Sequence, residues 1–487
     1  MRSLLATAGV CVIGAACAAV AALSGPPKPP APASAGPATR PARPGGGVVV
    51  HEWGTFTGFA GSDGVHLPFR TEIGGDLPAF VQNRKRNGYK LGPKDAFADL
   101  FAKADGATAL QRMETPVLYF YDDAPTTVDV RVDFPNGSLT EFYPPVKAFG
   151  PAYGQGFGEG AAGATAAGSF LDWGTVRVIP KSVGDDGKRV PPDPAAASGT
   201  PVAGGTLQPA AAPNHYFRAR ETGAALLQVT GPAGERHEER LLFYRGLGNF
   251  TLPVTLTAAG DDRFELRNAG PDPIGAAFLV RTEPDGGPTR FARYDHVAGR
   301  RAMSLPPTGK PGTGQAAGPA GEALPDVIVE ALVAEGLYPR EARAMVETWR
   351  ASWLNEPGTR VLYTVPRPVT DALLPLTVTP TPAGTTRVLV GRIDVMTPEQ
   401  ERRLVTLVTA AAASTAASAD AAAVGQATTS PPLTDEDVAL MKRLGRFVAP
   451  ALDRAAALRG GGDSANELRR ALDAFYRRLA AARLPRP

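Results

Sequence analysis

Val128-Asp129-Val130-Arg131-Val132-Asp133-Phe134-Pro135-Asn136-Gly137-Ser138-Leu139-Thr140-Glu141-Phe142-Tyr143 carries the clearest structural signal in the chain. From Val128 to Phe134 apolar residues alternate with Asp129, Arg131 and Asp133, the period of a strand with one buried and one wet face. Asn136-Gly137 is the dipeptide whose positive φ angles suit a tight two-residue turn, so a hairpin is predicted, with Leu139 to Tyr143 returning. Val117 to Tyr121 is expected beside it.

Working outward, strand character recurs at Val48 to Thr57, Thr175 to Ile179, Arg240 to Tyr244, Val254 to Thr257, Phe264 to Arg267 and Ala277 to Arg281. It returns at Arg360 to Val365, Leu373 to Thr379 and Arg387 to Val395. Short strands at such intervals predict a sandwich or barrel. Composition agrees: Gly (55) and Pro (48) make up about a fifth of 487 residues, a usage suited to short strands joined by turns and long loops. The 51 basic and 48 acidic residues leave a net charge of +3, and that near balance gives no electrostatic footprint for nucleic acid.

Helices are expected in two places. Pro325 and Pro339 suit first helical positions, and Gly336 suits the residue past a helix end, so a helical hairpin is predicted over Val327 to Glu335 and Pro339 to about Leu354. Ala342, Met345, Val346, Trp349 and Trp353 form one stripe, which core packing explains better than a sugar-stacking platform. Thr397-Pro398-Glu399-Gln400 matches a capping box, and Thr434 and Ser464 open two further capped helices. A short helix is also expected from Asp95 to Ala104. Gly150 to Gly168, Ser182 to Pro213 and Ser304 to Gly321 lack apolar periodicity and read as loops or linkers.

The expected fold is therefore α+β and β-rich: an antiparallel β-sandwich-like body, a helical hairpin and a C-terminal helical region. The β-rich domain spans 48–303 and a linker 304–324. The hairpin, with strands that complete the β domain, spans 325–396. The C-terminal helices span 397–487, with a low-complexity gap at about 412–432.

Ahead of the body lies a different kind of sequence. Arg2 precedes an uncharged run from Leu4 to Leu23, the layout of a secretory signal or N-terminal anchor over 1–24. Gly25 to Gly46 holds eight prolines and no acid, and so predicts an extended linker over 25–47. Both cysteines, Cys11 and Cys17, fall inside the apolar run; cleavage, anchoring and lipidation at Cys17 are the three possible ends. An exported location follows as an expectation: periplasmic, cell-surface or membrane-anchored, with membrane contact through the N-terminal segment.

Motifs for chemistry mostly fail. His51-Glu52 begins like the His-Glu-x-x-His zinc helix, but the fifth residue is Thr55 and the segment reads as a strand. In a regular strand His51 and Trp53 face one way and Glu52 the other. Gly158-Glu159-Gly160-Ala161-Ala162-Gly163 fits G-x-G-x-x-G without the strand that a dinucleotide site requires before it. No cofactor is called for. The candidate binding or catalytic cluster is His51, Glu52, His66, Arg70 and Glu72, in or near loops at the start of the body. The metal-type donors in that region are His51, His66 and Asp76, beside Glu72; ordinary hydrogen-bonded histidines are the plainer expectation, and no metal is assigned.

His51 to Thr57 (His-Glu-Trp-Gly-Thr-Phe-Thr), Arg112-Met113-Glu114-Thr115-Pro116, Tyr244-Arg245-Gly246-Leu247-Gly248 and Trp349 to Tyr363 resemble segments of uncharacterised exported bacterial proteins. That resemblance implies no activity. The expected function is an exported cell-envelope binding or structural protein, with a cell-wall polymer or another envelope protein as partner. The alternative is an extracytoplasmic hydrolase using carboxylates, with or without a metal.

Overall fold

The computed structural model describes residues 47–70, 77–78, 80–83, 108–150, 168–180, 214–260, 262–284, 289–305, 323–423 and 434–460. The expected helices at Asp95 to Ala104 and Ser464, and the G-x-G-x-x-G segment, lie outside them, as does nearly all of the three aperiodic tracts.

The first strands are β1 (Val49–Ala60), β2 (Phe69–Arg70), β3 (Gln82–Asn83), β4 (Thr108–Ala109) and β5 (Gln111–Tyr121). Next come β6 (Thr126–Phe134), β7 (Gly137–Tyr143), β8 (Ala148–Gly150) and β9 (Ser169–Ile179). After a 3-10 turn at His215–Arg220 follow β10 (Leu226–Thr230), β11 (Arg236–Glu239), β12 (Leu242–Gly248), β13 (Val254–Gly260) and β14 (Arg263–Asn268). β15 (Ile274–Thr282), β16 (Thr289–Val297) and β17 (Arg301–Leu305) precede the helices α1 (Ala323–Ala334) and α2 (Pro339–Arg350). The chain continues through β18 (Gly358–Val365), α3 (Arg367–Leu373), β19 (Leu376–Thr379) and β20 (Gly384–Val395), and then α4 (Pro398–Ala423), α5 (Asp435–Leu444) and α6 (Val448–Arg459).

The fold is α+β and β-rich. Nine strands form the central sheet in the order β16-β15-β18-β20-β1-β5-β12-β7-β3. A second sheet, β11-β10-β9-β6-β19, and a third, β13-β14-β17, lie on one side. Val128, Val130, Val132 and Phe134 of β6 share a core with Val50 and Phe56 of β1, Phe120 of β5 and Leu256 of β13. The other face of the central sheet is covered by α1 and α2, where Trp53, Val117 and Tyr119 pack with Ile328, Met345, Trp349 and Trp353. Both tryptophans of α2 and its extension are therefore core residues. The helices α4 to α6 pack Leu404, Met441 and Phe447 around Phe59 and Met396, at the end of β1 and β20.

Several expectations change. The alternation of β6 is real, but the hairpin is not: β6 pairs with β9 and β19, while β7 pairs with β12 and β3 in the central sheet. Asn136 and Gly137 both lack the positive φ that a type I′ turn requires. They pass the chain from one sheet to the other instead, and a Cβ at Gly137 would fall 2.2 Å from the Phe134 ring. β5 accordingly lies between β1 and β12, not beside β6. β1 and β20 run parallel, Val49 opposite Gly384 through Ala60 opposite Val395, within a body otherwise paired antiparallel among the described strands. β18 and β20, the strands expected to complete the β domain, sit inside the central sheet although they follow the helices in sequence. Leu373 ends a short helix rather than opening a strand, and β1 runs on to Ala60.

Local signals account for the helix starts. Gln400 Nα is 3.3 Å from Thr397 Oγ1, and Thr397 N–H donates to Gln400 Oε1 at 2.8 Å, closing the predicted box. Thr434 and Asp437 do the same for α5. At α2 the Tyr338 N–H donates to Glu341 at 2.9 Å, so Glu341 both caps the helix and reaches the sheet.

Candidate functional site

Three buried polar assemblies and one pocket surround β1 and β5. On the helix-facing side, His51 Nδ1 lies 2.7 Å from Glu341 Oε2, and the Tyr121 hydroxyl donates to Glu341 Oε1 at 2.5 Å. Tyr338 stacks against His51 at 4.4 Å. Burial, followed by the Glu341 carboxylate, pushes the Tyr121 hydroxyl far above its ordinary value, so it remains a donor. On the opposite side, Glu52 accepts from Arg387 Nε at 2.5 Å and from the Tyr244 hydroxyl. Arg387 also reaches Asp371 at 2.8 Å.

The third assembly is the densest. Arg360 Nε donates to Asp394 at 2.9 Å, and Arg392 donates to Asp394 at 2.6 and 3.1 Å and to Glu356 at 2.6 Å. Arg446, between α5 and α6, reaches Glu114 at 3.1 Å, which also meets Arg112 at 3.2 Å and Thr57 Oγ1 at 3.1 Å. Burial alone would raise the Glu114 carboxyl, but the guanidiniums of Arg446 and Arg112 outweigh it and hold the pKa at about 2. Burial also works against ionised Asp394 and Glu356, and Arg392 again holds both below the ordinary carboxylate range.

The pocket opens at a break in the central sheet. Opposite β1 the register jumps between Trp53 and Thr55, and opposite β12 between Phe243 and Gly246, so Thr115-Pro116 bulges out of both ladders. Pro116 has no N–H to give, and a Cβ at Gly54 would lie 2.8 Å from Pro116 Cα. Thr115 adopts φ 46°, a strained conformation for a β-branched residue. Thr115 and Val117 of β5, Phe243 of β12 and Tyr143 of β7 lie on neighbouring strands, and Leu77, Pro78, Phe80, Val81 and residues of the His215–Arg220 turn complete the walls.

Phe80 packs 4.6 Å from Tyr143 and 6.1 Å from Phe217. Arg220 lies 4.7 Å from the Phe217 ring centroid and binds Glu239 through three bonds of 3.0, 3.2 and 2.5 Å. Tyr216 accepts from Arg245. Among the described lining residues, Thr115 alone has a buried side-chain polar atom with no partner, its hydroxyl. The cavity measures about 40 Å³. Bulges re-aim side chains beside functional sites, and a strained residue bordering a mainly apolar pocket is a physical reason to place a site there.

The residues proposed from sequence are spread out. His51 and Glu52 are buried on opposite faces of β1. His66 bridges to Ala60, nine residues and about 30 Å of strand from His51. Its imidazole, pushed below its ordinary value by burial, faces Gln111 at 3.5 Å. Arg70 is in β2, its side chain outside the described residues, as are Glu72 and Asp76. Among the described residues no three metal-type side chains come together, and no helix is long and apolar enough to cross a membrane.

Sequence reasoning missed Thr115, Tyr216, Arg220, Glu239 and Phe243. Pro116 inside an apolar run was the available signal, because proline within a strand marks an edge or a bulge. The segments His51 to Thr57, Arg112 to Pro116, Tyr244 to Gly248 and Trp349 to Tyr363 supply Glu52, Glu114, Tyr244, Glu356 and Arg360 to the buried assemblies and Thr115 to the pocket. The chain matches no protein-family model and no curated protein.

Proposed function

We propose that this chain is an exported cell-envelope protein that binds a ligand through the pocket at the Thr115-Pro116 bulge, with the buried ion pairs serving to hold the frame. The supporting observation is the pocket itself: aromatic walls, one internally paired Arg220–Glu239 couple, and a buried hydroxyl without a partner on a strained residue. Glu52, Glu114, Glu239, Glu341, Glu356 and Asp394 are each held by arginine or tyrosine, which suits a rigid scaffold better than a proton-transfer pair. The signal-like run and proline-rich spacer support a location outside the cytoplasm, tethered near a surface. No comparable observation favours the hydrolase reading, since His51 and Glu52 face opposite layers.

Two measurements test this. Met1 to Gly47, fused to a reporter active only outside the cytoplasm, is expected to give activity, and silence would remove export. Purified chain is expected to be enriched on cell-wall or polysaccharide fractions, and equal recovery on an inert resin would remove envelope binding.

A further inference from the structure

We propose that Asn249 is an N-glycan acceptor, whose side-chain nitrogen takes a sugar from a lipid-diphosphate-linked donor outside the cytoplasm. This rests on the export half of the proposed function and is independent of the pocket. Of the chain's eight asparagines, two have serine or threonine two residues on with no proline between: Asn136-Gly137-Ser138 and Asn249-Phe250-Thr251. That pattern marks an acceptor when it lies in a surface loop of an exported chain. β12 ends and β7 begins where Gly248 pairs with Gly137, so the two asparagines flank that pair at one corner of the central sheet.

The corner presents only one of them in full. Asn249 and Thr251 are exposed, in the connection between β12 and β13. Phe250 between them is half-buried, its ring edge-on to Phe56 at 5.8 Å and to Phe134 at 5.9 Å, which anchors the segment and leaves both polar neighbours outside. Asn249 Oδ1 accepts from the Leu110 N–H at 3.2 Å, so the carboxamide is held through its oxygen and the nitrogen is the atom left for chemistry. Asn136 is exposed as well, but Ser138 is 5% exposed and paired with Leu247 inside the ladder, so that hydroxyl is not offered to a transferase together with its asparagine. In the transfer, Asn249 Nδ2 bonds to the anomeric carbon of the donor sugar and the bond from that carbon to the diphosphate oxygen breaks. The lipid diphosphate departs with the electron pair, and the amide proton passes to a base of the transferase.

The test is intact-mass and peptide-mapping mass spectrometry of the full chain recovered from the cells that make it. The peptide carrying Asn249 is expected to gain mass in whole sugar units, and the peptide carrying Asn136 to be unmodified. Asn249→Gln and Thr251→Ala are each expected to lose the gain completely, Thr251→Ser to retain it and Asn136→Gln to leave it unchanged. Thr251→Ala changes an exposed side chain and keeps the Asn249 contact to Leu110, so it decides the matter if Asn249→Gln misfolds. An Asn249 peptide of unmodified mass overturns the proposal, as does a gain that survives Thr251→Ala. A gain that persists after deletion of residues 1–24 overturns the lipid-linked donor in favour of a nucleotide-linked sugar inside the cell. With the Met1 to Gly47 reporter active, an unmodified Asn249 removes the acceptor and leaves export standing. A modified Asn249 in a chain with no enrichment on cell-wall fractions keeps the acceptor and removes envelope binding.

Discussion

The ionic assembly around Asp394 and the pocket at Thr115 lie on neighbouring parts of one sheet, yet they treat buried polarity in opposite ways. In the assembly, all six carboxylate oxygens of Asp394, Glu356 and Glu114 have partners, supplied by Arg360, Arg392, Arg446, Arg112 and Thr57. In the pocket the one charged couple is closed on itself, and a neutral hydroxyl is left without a partner. Charge density therefore marks the frame in this protein, and aromatic walls around a closed ion pair mark the pocket. Glu52, the one acid among the sequence candidates that lies within the described residues, is already engaged by Arg387 and Tyr244.

The largest break in that contrast is expected from Arg392→Met. It removes three of the donors to Asp394 and Glu356, leaving buried carboxylate with only part of its compensation. Stripping one partner from such a pair costs about 3–5 kcal/mol. Urea unfolding followed by tryptophan fluorescence measures it; a loss under about 1 kcal/mol would mean that the assembly does not hold the frame.

Glu114→Gln comes next and adds a pH signature. The folded Glu114 pKa, about 2 against an ordinary 4.5, is depressed, so its contribution is fully present above the unfolded value and is lost as pH falls through 4.5 towards about 2. The shift corresponds to on the order of 3 kcal/mol. The variant is expected to be less stable by roughly that amount at pH 7 and to converge with the parent near pH 2. Parallel denaturation curves at pH 7, 4 and 2 check the sign, and a gap that widened on acidification would contradict it.

Tyr121→Phe probes the helix-facing contact on a smaller scale. Glu341 loses one donor but keeps His51 and the Tyr338 N–H, so a cost of about 1–2 kcal/mol is expected. Thermal unfolding measures it. A null effect would show that the tyrosine hydroxyl does not help dock α2 on β1.

What could be read in the sequence follows from how local the cause is. The wet face of β6 is written in Asp129, Arg131 and Asp133, and the capping boxes at Thr397 and Thr434 close within one turn. β1, β5 and β7 are buried on both faces, which erases the alternation that locates strand ends and hid the extension of β1 to Ala60. Asn136-Gly137 gave a sound turn signal but not its partner strand, since pairing β6 with β9 is decided by residues some forty positions apart. The pocket was less legible still: Thr115, Tyr216 and Phe243 converge only after β5, β12 and the 3-10 turn assemble. His51 and Glu52 drew notice because their types suit catalysis, and only the pleat of β1 separates them.

The smallest effect on stability should come from Thr115→Val, and its sign is the informative part. Valine keeps the β-branched shape at φ 46°, so the backbone strain is retained in both proteins and cancels in the comparison. The hydroxyl it removes is buried without a partner and contributes desolvation cost with no compensating bond. The variant should therefore be unchanged or more stable by up to about 1 kcal/mol. If Thr115→Val instead loses about 1 kcal/mol or more, the hydroxyl has a structural partner, and the contrast between frame and pocket fails at the residue on which it rests.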